Sequence, residues 1–123
     1  MITRFLHTAF EVQDLNEAIK FYRKLDFSLT KQFDKPEPQA KVAHLSSNNG
    51  VVFEIWQFID KTHVQVEFIR RHIAFESDDL EQDIDKLVED GCVLVIPITK
   101  GVTMTYAFVR DTSGNYLEIG QRL

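Results

Sequence analysis

The sequence predicts an α+β fold in which two βαβββ modules form an open mixed sheet, all within a single domain of 123 residues. Two observations carry this. Displaced by 65 positions, His7–Leu15 (HTAFEVQDL) lies on His72–Leu80 (HIAFESDDL) with six identities in nine, a strong internal repeat. Ile19 then falls on Ile84 and, after one deletion, FEIWQ (Phe53–Gln57) falls on LEIGQ (Leu117–Gln121). Each copy also holds one helical pattern, apolar at three- and four-residue spacing, together with four stretches of strand-like alternation. The first module covers about 1–60, the second about 69–123, and 61–68 connect them.

In the first module, Phe5 to Val12 alternates apolar positions and reads as a strand. Asp14 follows as a helix N-cap, with Glu17 at the capping-box position. Leu15, Ala18, Ile19, Tyr22 and Leu25 give the helix an apolar face to lay on a sheet. Three strands come next, near Phe27 to Phe33, Lys41 to Ser46 and Val51 to Ile59. Pro36 and Pro38 occupy the loop before the second of these, and Ser47 to Gly50 turn the chain before the third. In the second module a strand from Arg70 to Ser77 leads to a cap at Asp78 or Asp79. The helix that follows carries Leu80, Ile84, Leu87 and Val88 on one face and ends at Gly91. Strands near Cys92 to Ile98 and Thr103 to Arg110, a turn at Asp111 to Gly114, and a strand from Asn115 to Gln121 complete the repeat.

Composition narrows the partners. The formal charge of −5 supplies no basic field for nucleic acid or an anionic membrane. Neither a signal-peptide pattern nor a membrane-length apolar run is present. The lone Cys92, flanked by Val93, Leu94 and Val95, reads as a buried thiol in a reducing compartment. The expectation is a cytoplasmic protein with a small-molecule partner.

Strand parity shows which side chains share a surface. His7 shares a face with Phe5, Ala9 and Glu11, and His72 with Arg70, Ala74 and Glu76; Ile73 and Phe75 point to the core with Leu6, Phe10 and Val12. Glu54 lies with Val52, Trp56 and Phe58, and Glu118 with Tyr116 and Gly120. His7, Glu54, His72 and Glu118 therefore all fall on the face the helices leave uncovered. Singly, a strand histidine is more often a hydrogen-bonded core residue than a ligand, and a strand glutamate is more often solvated. Their joint occurrence at repeat-equivalent positions points further. A carboxylate amid apolar residues costs several kcal/mol to desolvate unless a cation accompanies it. A divalent metal held by two neutral imidazoles and two carboxylates resolves that conflict, with nickel, cobalt, zinc, iron and manganese all suited to the donor set. The fold class so becomes two modules around a metal site.

The stretches LHTAFEVQDLNEAIKFYRKL, VVFEIWQF, RHIAFESDDLEQDIDKLVEDG and TYAFVRDTSGNYLEIGQ resemble the glyoxalase, bleomycin-resistance and extradiol-dioxygenase (vicinal oxygen chelate) superfamily across nearly the whole chain. The resemblance implies one metal ligand from the first and one from the last strand of each module, the positions of His7, Glu54, His72 and Glu118. His, Glu, His, Glu is the set of bacterial glyoxalase I and is close to that of methylmalonyl-CoA epimerase. The implied chemistry is a glyoxalase I-like isomerase, lyase or epimerase acting on a small α-oxygenated carbonyl compound through a metal-bound enediolate. Glu118 or Glu54 would move the proton. The pattern departs from glutathione-using glyoxalases at Glu11, where they carry Arg, and at Phe58, where they carry Asn, which argues against lactoylglutathione as substrate. The usual Asp-Pro-x-Gly turn stands here as Asp111, Thr112, Ser113 and Gly114.

Around the metal, Trp56, Phe58, Met104 and Tyr116 are candidates to line an apolar pocket, and Arg70 and Lys100 to hold a substrate anion; packing and surface solvation are the alternatives. Glu11 and Glu76 form a second repeat-related pair, either bases or solvated strand ends. His44 and His63 lack counterparts and are expected at the surface. The alternative function is sequestration of a ligand or drug without turnover, as in bleomycin-resistance proteins. Because such modules pair within one chain or across two, a homodimer is expected.

Overall fold

The computed structural model describes residues 1–36, 39–59 and 71–123. Each module is a βαβββ series: β1 (Ile2–Glu11), α1 (Leu15–Arg23), β2 (Ser28–Lys35), β3 (Ala40–Ser46) and β4 (Val52–Phe58), then β5 (Arg71–Ser77), α2 (Leu80–Glu89), β6 (Val93–Lys100), β7 (Met104–Arg110) and β8 (Tyr116–Arg122). This is the α+β class expected, with strand ends shifted by up to three residues. His63, Arg70, Pro38 and the connector 61–68 lie outside the described residues.

Two compact units emerge, His7–Arg71 and a second comprising Met1–Leu6 with His72–Leu123. In the first the strand order is β2-β3-β4-β1, and in the second β1-β5-β8-β7-β6, β1 serving both with different residues. Each sheet is mixed. β1 runs parallel to β4 and β5 parallel to β8, at repeat-equivalent registers that set Ala9 opposite Glu54 and Ala74 opposite Glu118. The remaining pairings β2–β3, β3–β4, β6–β7 and β7–β8 are antiparallel.

The helices start as their sequences dictate. Asp14 accepts from the Glu17 backbone N–H, and Asp79 does the same for Gln82. Glu17 turns its own carboxylate toward Lys20. A second cap comes from the last strand of each module: Gln57 Oε1 accepts from the Leu15 N–H at 2.7 Å, and Gln121 Oε1 from the Leu80 N–H at 2.8 Å. These glutamines, repeat partners in FEIWQ and LEIGQ, tie each helix to the end of its sheet.

Alternation then sorts the core. Leu15 and Ile19 of α1 pack on Ala43, Leu45 and Ile55, with Phe10, Val12, Tyr22, Phe27 and Phe53 around them. Leu80 and Ile84 of α2 pack likewise on Ala107, Val109 and Ile119, beside Phe75 and Leu117. Some apolar residues fall outside this plan. Leu25 lies past the end of α1 and is exposed; Val88 stands one step around α2 from half-buried Leu87 and is exposed too. Ile73, expected in the core with Phe75, remains outside the cluster beneath α2. Cys92 packs partly against that cluster, and burial, assisted by Asp111 and Asp90, pushes its thiol pKa up, away from the reactive thiolate. Among the described residues no helix is long and apolar enough to cross a membrane.

Candidate metal centre

On the face of the first unit opposite α1, a second apolar cluster of Ala9, Ala40, Val42, Trp56 and Phe58 surrounds the polar residues. The alternation of β1 places His7 on this face beside Ala9, and that of β4 places Glu54 there beside Trp56. His7 Nε2 and Glu54 Oε1 lie 3.6 Å apart with both side chains 12% exposed. In the second unit, His72 Nε2 and Glu118 Oε1 are also 3.6 Å apart, with His72 almost wholly buried. Nitrogen and oxygen donors held about 2.0–2.2 Å from one ion stand about 2.8–3.6 Å from each other, the upper end in tetrahedral geometry. Each pair therefore has the separation of two donors around a metal and exceeds a good hydrogen-bond length. The chemistry fits as well: an imidazole and a carboxylate from each module suit a borderline divalent ion.

His44 corrects the reading from sequence. Far from lying unengaged at the surface, it stands directly across the β3–β4 ladder from Glu54, and its Nε2–H donates to Glu54 Oε2 at 2.8 Å. The His44 ring lies 5.8 Å from that of His7 and 6.2 Å from that of Phe33. The Trp56 indole N–H donates to the other oxygen, Glu54 Oε1, also at 2.8 Å. Trp56 was expected as an apolar wall; it is also a donor to the site carboxylate. The hairpin closes at Ser46 opposite Val52 around a five-residue loop, which sets 44 opposite 54; a four-residue turn at 47–50, as read from the sequence, gives a register one residue off.

The remaining candidates divide. Phe58 stacks on Trp56 with ring centroids 5.8 Å apart and is buried. Met104 and Tyr116 begin β7 and β8, half-buried, and the Met104 methyl group fills the space over Gly120, where a Cβ would meet it at 2.8 Å. Lys100 is exposed at the end of β6. Glu76 is held by Arg122 at 2.8 Å and Arg4 at 3.7 Å, an ion-pair role in the second unit. Glu11, half-buried, ends β1.

Comparison with known proteins agrees with this architecture. Residues 4–119 match the family model of the Glyoxalase/Bleomycin resistance protein/Dioxygenase superfamily. A probable lactoylglutathione lyase of Vibrio parahaemolyticus is 30% identical over 96% of this chain and 90% of its own length. Methylmalonyl-CoA epimerase from Mycobacterium tuberculosis superposes with a TM-score of 0.80 at 20% identity, over 99% of this chain and 89% of that one. A single-residue variant of Streptomyces coelicolor methylmalonyl-CoA epimerase, in complex with 2-nitronate-propionyl-CoA, gives 0.77 at 18% identity over 99% of both chains. By name these relatives are enzymes, a lyase and two epimerases. With its duplicated βαβββ modules, its repeated His–Glu pairs and a family match across almost its full length, the chain belongs to the Glyoxalase/Bleomycin resistance protein/Dioxygenase superfamily.

Proposed function

We propose that this protein is a metal-dependent isomerase, lyase or epimerase acting on a small α-oxygenated carbonyl compound, with His7, Glu54, His72 and Glu118 as ligands of one divalent ion. The observation that carries the reading is the repetition of the His–Glu pair, at 3.6 Å in each unit and at repeat-equivalent positions. A stability role alone gives no reason for the same pair to recur on both sheets.

A divalent ion supplies Lewis acidity, stabilising the charge that develops on a substrate carbonyl as the neighbouring carbon gives up a proton. The chain's own part is to position and to move that proton. A carboxylate oxygen of Glu118 or Glu54 accepts it from carbon and returns it, as base and then acid. Trp56 and Phe58 exclude water from one side, and Met104 and Tyr116 line the other module's surface. Lys100 and Arg70 hold an anionic group of the substrate. By the family resemblance Glu11 and Phe58 replace the Arg and Asn of glutathione-using glyoxalases, so the substrate proposed is not the lactoylglutathione of the Vibrio relative's name. The working form is proposed to be a cytoplasmic homodimer.

Two measurements test this. After reconstitution with zinc, nickel or cobalt and mild purification, mass spectrometry should find about one ion per ligand set in the wild type and essentially none in the Glu54→Ala, Glu118→Ala double variant. Metal-loaded protein should also exchange the carbon-bound proton of a 2-oxo or 2-hydroxy compound in deuterium oxide. Wild type and double variant equally metal-free would end the proposal; absence of exchange alongside tight binding of an intact drug would move the protein to the sequestering class.

A further inference from the structure

Glu54 is gripped at both ends of its carboxylate by residues that the metal-ligand set does not include. We infer that His44, assisted by Trp56, is a positioning residue that fixes Glu54 as a metal ligand through one oxygen; this rests on the metal-centre reading above. Antiparallel pairing puts His44 opposite Glu54, close enough for the ring N–H to meet Oε2 at 2.8 Å. The imidazole itself is steadied at its backbone, where its carbonyl accepts from Thr30 Oγ1 at 3.2 Å. Trp56, two residues along the same strand face, donates to Oε1 at 2.8 Å.

A carboxylate offers about four lone-pair sites. His44 takes one on Oε2 and Trp56 one on Oε1. Oε1 is also the oxygen 3.6 Å from His7 Nε2, so the grip turns toward His7 the oxygen suited to share an ion with it. Donors outside the ligand shell set the orientation of such carboxylates, and their loss typically weakens metal binding by about 10- to 100-fold. The second module tests the idea by its sequence alone: the residues in register with His44 and Trp56 are Phe108 and Gly120, whose side chains carry no hydrogen-bond donor.

The experiment is zinc affinity by competition with a chelator, together with the visible spectrum of cobalt(II), on the full chain and its variants. His44→Phe, which copies the second module, should bind zinc about 10- to 100-fold more weakly and alter the cobalt bands. His44→Gln, which keeps an N–H donor, should recover most of the affinity. A folded His44→Phe with wild-type zinc affinity and an unchanged cobalt spectrum would overturn the inference. Should that variant not fold, Trp56→Phe decides by the same two readouts, because it deletes the indole donor and keeps an aromatic ring. Glu54→Ala separates the two levels of argument. If it abolishes zinc binding while the His44 and Trp56 variants keep wild-type zinc affinity and cobalt bands, the metal centre stands and the positioning role is lost. A wild type that binds no zinc removes both.

Discussion

In the first module the residue across the ladder from the site glutamate is His44, which donates to Glu54 at 2.8 Å; in the second it is Phe108, whose ring meets His72 edge-on at 5.1 Å. The next residue of the comparison differs in the same sense. Trp56 donates to Glu54, whereas its counterpart Gly120 leaves a gap that Met104 fills. Elsewhere the modules repeat each other closely, in the His–Glu pairs, the strand registers and the glutamines that cap α1 and α2. The two copies thus share the backbone plan and the His–Glu pair, and differ at the two positions beside the glutamate: an imidazole and an indole in one, a phenyl ring and a glycine in the other.

Making the modules alike at that point is the strongest way to break the comparison. Phe108→His puts a polar ring where a buried phenyl packs against His72, and should lower unfolding free energy by about 1–3 kcal/mol in urea titration. No loss of stability would mean that Phe108 is not the apolar support the geometry gives it.

The helix exits sharpen it next. Asp26 and Gly91 are repeat partners and both adopt a left-handed backbone, φ 65° and 108°. Only glycine does so without a Cβ penalty. Asp26→Gly should therefore stabilise by about 0.5–1 kcal/mol. Gly91→Ala should destabilise by about 1–2 kcal/mol, since its new Cβ also comes to 3.3 Å from the Thr112 methyl. Thermal unfolding of the two variants checks both signs, and a stabilising Gly91→Ala would refute the account.

The turns supply the smallest effect. Ser47 Oγ accepts from the Val51 N–H, and the corresponding carboxylate of Asp111 accepts from Asn115 and Ser113. Backbone and side-chain hydrogen bonds from Asn115 lead in lowering the Asp111 pKa. A carboxylate whose folded pKa lies below its unfolded value of about 3.9 stabilises the fold above that pH and ceases to do so as pH falls through the folded value. Asp111→Asn should melt slightly lower than wild type at pH 6, with the difference closing as acid titrates the lowered Asp111 carboxyl. Ser47→Ala should show a pH-independent difference; a gap for Asp111→Asn that persists unchanged into strong acid would contradict the assignment.

Much of this was readable from the residues. Periods of two and three to four placed eight strands and two helices, and the repeat put two imidazoles and two carboxylates on the faces the helices leave uncovered. Helix faces were harder, because Leu25 keeps the apolar spacing beyond the end of α1 and Val88 keeps it one step off the packed face of α2. His44 was missed for a related reason: a search for repeat partners passes over a residue whose partner is a phenylalanine, and alternation within one strand does not say which side chain lies across the ladder.

The sequence by itself determined the duplicated module, the caps at Asp14 and Asp79, the turns closed by Gly50 and Gly114, and the parity of His7, Glu54, His72 and Glu118, since all of these follow from local backbone preference and periodicity. Only the tertiary structure decided that Gln57 and Gln121 reach back to the helix starts and that His44 and Trp56 grip Glu54. Those contacts depend on cross-strand register and side-chain reach, which chain spacing alone does not encode.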